Sequence, residues 1–270
     1  MSSAMDVLST LLPELDALFF LLVVAMARTG GLLLGLPHTR ARTIPPMVKA
    51  TVVFGLSVGL VFASPWTHLA TVLHAGPVAV ATIAGAEFVF GLGVGFIVHL
   101  AVAAARIAGE IAGIDMGLSF SAVADPTSGG QSTAAAALYV QIAIQLFLAL
   151  RLDHVAIRAL AYGTHHVPIG AATFDPMAYL DLVGLGARLF EAAFRLAMPI
   201  GAALFALKVG MAMLARVAPR LQIFTLAFSL AILTGLFVLR AALPGIFAAL
   251  AAELRAFAEL AVAFAARGGS

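Results

Sequence analysis

The chain of 270 residues has no cysteine and very little charge: Asp, Glu, Lys and Arg together make up 10% of it. The missing cysteine excludes disulfides, thiolate nucleophiles and Cys-ligated metals. The scarcity of charge, beside a hydrophobic share of 63%, excludes an ordinary water-soluble domain, in which about a quarter of the residues are charged and about half are apolar. A formal net charge of +2 offers no patch for nucleic acid. Residues 1–16 carry Asp6, Glu14 and Asp16 in place of a basic leader region, so the first apolar segment is expected to stay in the mature protein. Signs of catalysis are also missing. "TSGGQST" at 127–133 lacks the lysine of a phosphate-binding loop. "GLGVG" at 91–95 falls inside an apolar run rather than at a strand-to-helix turn. Ser119 and Ser121 have no His or Lys base nearby, and His154, His165 and His166 find no third ligand at helical spacing. The chain is read as a non-enzyme without cofactor or metal.

What is present is apolar helix. Six segments are long enough to cross a hydrocarbon layer of ~30 Å at ~1.5 Å per residue. They run from about Leu15 to Leu36, Pro46 to Ala63, Pro77 to Ala105, Thr133 to Leu150, Leu180 to Leu214 and Leu221 to Leu239. The third continues as a more polar helix to Gly117, and Pro244 is expected to restart a shorter helix to Phe264 after the sixth. No run alternates with period two, so a β-barrel is rejected. The fold class is an all-α membrane protein. Arg40, Arg42 and Lys49, then Arg216 and Arg220, mark basic loops. Counted as cytoplasmic, they put both termini outside.

Glycines recur four apart at Gly31 and Gly35, Gly55 and Gly59, Gly91 and Gly95, and Gly109, Gly113 and Gly117. Such stripes let helix backbones approach closely. Charges stand where they are costly: Arg28, Glu87, Arg188, Glu191, Arg195 and Lys208 lie in or near the ends of apolar segments. Each costs ~2.5–3.5 kcal/mol at a bilayer centre. Arg188 with Glu191, Glu191 with Arg195, and Arg106 with Glu110 have the spacing of helical ion pairs. Arg28 and Glu87 have no local partner, so they meet each other or another subunit.

"MGLSFSAVADPTSGGQST" at 116–133 does not fit its surroundings. Asp125-Pro126 disfavours helix, Gly129 and Gly130 free the backbone, and Ser132 or Thr133 can cap the next helix. The result is a hairpin-like loop between two apolar helices. Its ~15 residues from Gly117 to Gln131 span ~50 Å at most when extended. Unpaired backbone is not stable against lipid, so the loop lies in water or fills a polar cavity. The residues alone leave those alternatives open.

"RIAGEIAGIDMGLSFSAVADPTSGGQS" at 106–132 resembles the signature of the FliR family of flagellar biosynthesis proteins, components of the type III secretion export gate. The matching positions are Arg106, Gly109, Glu110, Gly113, Met116, Gly117, Leu118, Ser119, Phe120, Asp125, Pro126, Ser128, Gly129, Gly130, Gln131 and Ser132. The stretch from Arg28 to Lys49, with Pro37, Ile44 and Pro45, is similar to the family's first loop. Met213 to Phe224 echo a late family motif, and His154 matches a family histidine. Asp115 stands where the family usually has Gln, Arg220 and Gln222 replace a common Gln and Asn, and Ser229 replaces a common Pro.

The resemblance implies one export-gate domain over residues 1–270. It implies FliP and FliQ as partners in a spiral hetero-oligomer around one channel, with FlhB docked on it, in the bacterial inner membrane at the flagellar basal body. Unfolded flagellar substrates would pass through, and residues 116–132 would plug the channel. The family's helices form hairpins raised above the bilayer plane, which overrides the topology counted from basic loops. Arg28, Glu87, Arg106, Glu110 and Lys208 would then be buried charges or subunit contacts. Two other readings are the homologous subunit of a virulence injectisome and a secondary transporter with Glu87 or Arg28 on its ion path. The transporter reading predicts inverted repeats, and none is evident between the halves.

Overall fold

A computed structural model describes residues 2–37, 44–64, 77–119, 132–172, 176–217 and 223–267. Every regular element among the described residues is an α-helix. In chain order they are α1 (Ser2–Gly35), α2 (Pro46–Ala63), α3 (Pro77–Asp115), α4 (Ala134–Ala149), α5 (Leu152–His166), α6 (Pro176–Val217) and α7 (Ile223–Arg267). Five are long and apolar enough to cross a membrane, or six if α4 and α5 together count as one span.

Local chemistry sets the ends. Pro46 opens α2, where its missing N–H leaves no hydrogen bond unmade. Thr133 caps α4: its backbone is extended and its Oγ1 accepts the Ala136 N–H at 3.2 Å. Gly117 closes α3. The Leu118 N–H bonds the Gly113 carbonyl at 2.8 Å and the Gly117 N–H bonds the Ile114 carbonyl at 2.9 Å. With Gly117 at a φ of 81°, this is a Schellman cap, so α3 ends two residues earlier than expected. Gly117→Ala puts a side chain in the left-handed region, at a cost of ~1–2 kcal/mol, and sets its Cβ 2.7 Å from the Phe228 ring. The variant is expected to accumulate in membranes at a reduced level, checked by quantitative immunoblot.

Two expectations need correction. The sixth segment does not stop at Leu239 and restart at Pro244. α7 runs unbroken through Ser229 and Pro244. A proline removes one helix hydrogen bond, but in an apolar medium ending the helix would strand several more. The stretch after Arg151, which falls between the fourth and fifth expected segments, also holds a helix. α5 buries Leu152, Ala156, Ala159, Leu160, Gly163 and Thr164, a spacing that builds one apolar face. Its Asp, Arg and His residues hide that face from a reading tuned to continuous apolar runs.

The chain divides into two compact units. The first comprises Met1–His99, Arg151–Gly184 and Ala256–Ser270. There α1 and α3 run parallel at backbone contact. A Cβ on Gly35 would lie 2.6 Å from the Gly95 Cα, and one on Gly95 would strike the Leu32 carbonyl oxygen at 2.5 Å. Gly31 meets the Phe88 carbonyl and Gly91 meets the Arg28 carbonyl in the same way. Two of the expected glycine stripes therefore face each other. α2 folds back on α1, where the Thr29 and Ser57 hydroxyls bond at 2.7 Å. Gly55 and Gly59 of α2 have open space beside them among the described residues.

The second unit comprises Leu100–Leu150 and Leu185–Arg255. α3 and α4 form an antiparallel hairpin in which Gly109 abuts the Ala136 backbone and Gly113 abuts the Thr133 side chain. Ala104 packs with Ala192 and Ala193 of α6. The Tyr139 hydroxyl donates to the Leu196 carbonyl at 3.4 Å. Large apolar side chains of α6 and α7 stay exposed, among them Phe194, Met198, Phe205, Leu233 and Phe237. Bare apolar surface on this scale calls for lipid or other protein to cover it.

Candidate functional site

Two constellations stand out, one in each unit. The first answers the question left by Arg28 and Glu87: they meet each other. Both are fully buried. Arg28 Nε and Nη2 donate to the two Glu87 carboxylate oxygens, the second at 2.9 Å. Arg28 lies three residues before Gly31 and Glu87 four before Gly91, so each charge shares a helix face with a glycine stripe. Close backbone approach along the stripes brings the side chains into reach. The Phe90 ring lies under the guanidinium, 4.9 Å from centroid to Cζ, and stacks on Phe264 at 5.9 Å.

Every nitrogen and oxygen of the two charged groups has at least one hydrogen-bond partner. Arg28 Nη1 donates to the Val167 carbonyl at 2.9 Å and Nη2 to the Pro168 carbonyl at 3.3 Å. Glu87 Oε1 accepts the Gly170 N–H at 2.7 Å and the Ala172 N–H at 3.3 Å. Gly170, at a φ of 91°, turns its N–H to the carboxylate. The pair therefore pins the turn after α5 to α1 and α3. Sequence reasoning missed this turn because its partners are backbone groups, which any sequence supplies. The only local signal is "VPIG" at 167–170.

The second constellation holds the ends of the polar loop. Phe120, Asp125, Pro126, Gly129, Gly130 and Gln131 lie outside the described residues. The described roots of the loop are Met116 to Ser119 on one side and Ser132 onward on the other. Glu110 does not pair with Arg106, which is exposed. Its two carboxylate oxygens instead accept the Thr133 N–H, each at 3.3 Å. Thr133 Oγ1 also reaches the Gly109 carbonyl at 3.4 Å. Met116 is fully buried and fills the notch left by Gly235 of α7, where a Cβ would lie 2.5 Å from its Cγ. Both roots of the loop are thus fastened around the last turns of α3.

Among the residues whose burial is described, the remaining charges are exposed or half-buried. Arg195 bonds Glu191 at 2.7 Å, the i,i+4 pair expected from spacing, and also Glu253 of α7 at 3.1 Å. Lys208 is half exposed and sits 2.7 Å from Asp115. His154 lies between Arg151, at 2.9 Å, and Asp153, at 3.0 Å. One string was overlooked in the sequence: Gly55-Leu56-Ser57-Val58-Gly59 reads G-x-S-x-G. It lies inside α2 rather than at a strand-to-helix turn. The Ser57 hydroxyl is spent on the Val53 carbonyl at 2.6 Å and on Thr29.

Residues 19–257 match the bacterial export proteins, family 1. The chain belongs to this family. It is similar to the flagellar biosynthetic protein FliR of Escherichia coli (strain K12), 32% identical over 225 residues that cover 81% of this chain and 82% of that protein. It is 26% identical to FliR of Caulobacter vibrioides over 230 residues, covering 84% and 90% of the two chains. It is 35% identical to FliR of Pectobacterium carotovorum over 158 residues, covering 58% and 60%. Membership and relatives together make this export-family protein a membrane-embedded subunit of the flagellar type III export gate.

Proposed function

We propose that the chain works as one domain over residues 1–270 within a hetero-oligomer of FliP- and FliQ-like subunits in the bacterial inner membrane, at the flagellar basal body. An FlhB-like protein docks on it, and unfolded flagellar subunits pass through. Residues 116–132 form a reversible plug, with Met116, Gly117, Leu118, Ser119 and Phe120 at one root, Asp125 and Pro126 at the turn, and Gly129, Gly130 and Gln131 on the return. The domain acts as a passive gated conduit and catalyses nothing. Arg28 and Glu87 brace its scaffold, while Arg106 is free to meet a sibling subunit.

One observation supports the plug reading above the rest: the Glu110–Thr133 and Met116–Gly235 contacts fasten both ends of the polar segment at one end of a helical hairpin. A segment held this way can protrude and retract without moving its helices apart. Its backbone needs a polar cavity, and a channel shared among subunits supplies one. The exposed apolar faces of α2, α6 and α7 supply surfaces for siblings and lipid.

Deleting Ser121–Gly130 tests the reading. In vesicles holding the assembled gate, the deletion is expected to raise leakage of small ions at least tenfold. An unchanged leak from an intact assembly would refute the plug.

A further inference from the structure

We infer that a cavity between α1, α2 and α5 holds part of one acyl chain of a membrane phospholipid whose headgroup carries both a phosphate and an amine, as phosphatidylethanolamine does. The lining residues all belong to the first unit. The cavity has a volume of about 220 Å³. Its walls are apolar, with Leu33 from α1, Val52 and Leu56 from α2 and Ile157 from α5. Two charged side chains join them, Lys49 of α2 and Asp153 of α5.

The charged and apolar groups are sorted by depth. Lys49 lies one turn from the start of α2, and Asp153 lies in the first turn of α5. Lys49, Val52 and Leu56 have the spacing of one helix face, and Leu56 stands ~10 Å further along the axis than Lys49. α2 is long and apolar enough to cross a membrane and begins at Pro46. Its first turns therefore fall at headgroup depth and Leu56 among acyl chains. The Lys49 ammonium has no ion pair among the described residues, and lipid phosphate is the anion it meets at that depth. Asp153 has one oxygen 3.0 Å from His154 Nδ1. A carboxylate accepts several hydrogen bonds, so it can take an ammonium as well. A rim with one cation and one acid complements a headgroup of both signs better than a purely anionic one. The small volume points the same way. It is below the ~300–1,000 Å³ of sites that bury a whole free ligand, so its occupant is anchored elsewhere, as a lipid is by the bilayer.

The test uses the full assembled gate in vesicles of phosphatidylethanolamine and phosphatidylglycerol. A trace of one lipid or the other carries a photoreactive group on its acyl chain. Labelled residues are mapped by mass spectrometry, and labelling of the cavity walls is normalised to apolar surface elsewhere in the gate. In wild type the phosphatidylethanolamine probe is expected to label the walls about two- to fivefold more than the phosphatidylglycerol probe, the range of one exposed ion pair. Lys49→Gln should lower labelling by both probes, because both carry the phosphate. Asp153→Asn should remove the preference for the amine. Val52→Phe, which fills the cavity, should abolish labelling of Leu33 and Ile157 by either lipid. Equal labelling by the two probes in wild type would refute the headgroup assignment. Labelling no higher than on the rest of the apolar surface, as when a sibling subunit fills the cavity, would refute the site. Neither outcome touches the plug, which stands or falls with the Ser121–Gly130 deletion.

Discussion

Replacing Arg28 with Met is expected to remove most of the folded protein from the membrane. The substitution strips its partner from a buried carboxylate, a change that costs about 3–5 kcal/mol. That is a large share of the ~5–15 kcal/mol that holds an ordinary fold together. It also takes the Arg28 donor from the Val167 carbonyl, while the Pro168 carbonyl keeps the Ala171 N–H. Glu87→Gln should be milder, because an amide oxygen still accepts the Gly170 and Ala172 N–H groups. Replacing both ions with apolar residues sometimes restores a fold. Here it should not, because three backbone groups of the turn, the Val167 carbonyl and the Gly170 and Ala172 N–H groups, would lose these partners. Membrane abundance and resistance of the purified gate to protease are the measurements. Equal abundance of wild type and Arg28→Met would show that the pair is not a brace.

Gly91→Leu is expected to do comparable damage by a different route. Its Cβ would run into the Arg28 carbonyl, and backbone cannot rotate aside as a side chain does. Overpacking typically costs ~1–3 kcal/mol. This clash should reach or exceed that range, because parting α1 from α3 also pulls Arg28 from Glu87. Gly55→Leu and Gly59→Leu provide the contrast. Nothing among the described residues lies within 4 Å of a Cβ at either position, so the protein itself should fold normally. Lost copurification of sibling subunits in those variants, with normal abundance, would mark that face of α2 as a subunit contact. Normal folding of Gly91→Leu would contradict the backbone contact.

The stripes at Gly31 and Gly91 and the isolated charges at Arg28 and Glu87 are both visible in the sequence, but their coincidence on matching helix faces emerges only once α1 and α3 are docked. Thr133 is legible as a cap because a cap depends on local residue type. Arg106 and Glu110 have the right spacing and still do not pair, because a backbone N–H at Thr133 competes for the carboxylate. Spacing cannot register a competitor 23 residues away. α5 is hidden because its apolar face is diluted by charge. The unbroken course of α7 through Pro244 escapes a sequence reading because proline breaks helices far more readily in water than where unpaired backbone has no solvent. For the polar segment, composition shows that it is out of place, the family resemblance supplies a role, and the structure adds that both its roots are fastened at one point.

The central claim is that residues 116–132 occupy a passage walled by several different polypeptides. The direct measurement is near-atomic imaging of the particle that copurifies with the tagged protein from bacterial membranes. The expected image is a hetero-oligomer with one axial passage, the Glu110–Thr133 root at its wall and the segment across its lumen. A monomer, or an assembly in which this segment projects into bulk solvent away from any passage, would contradict it.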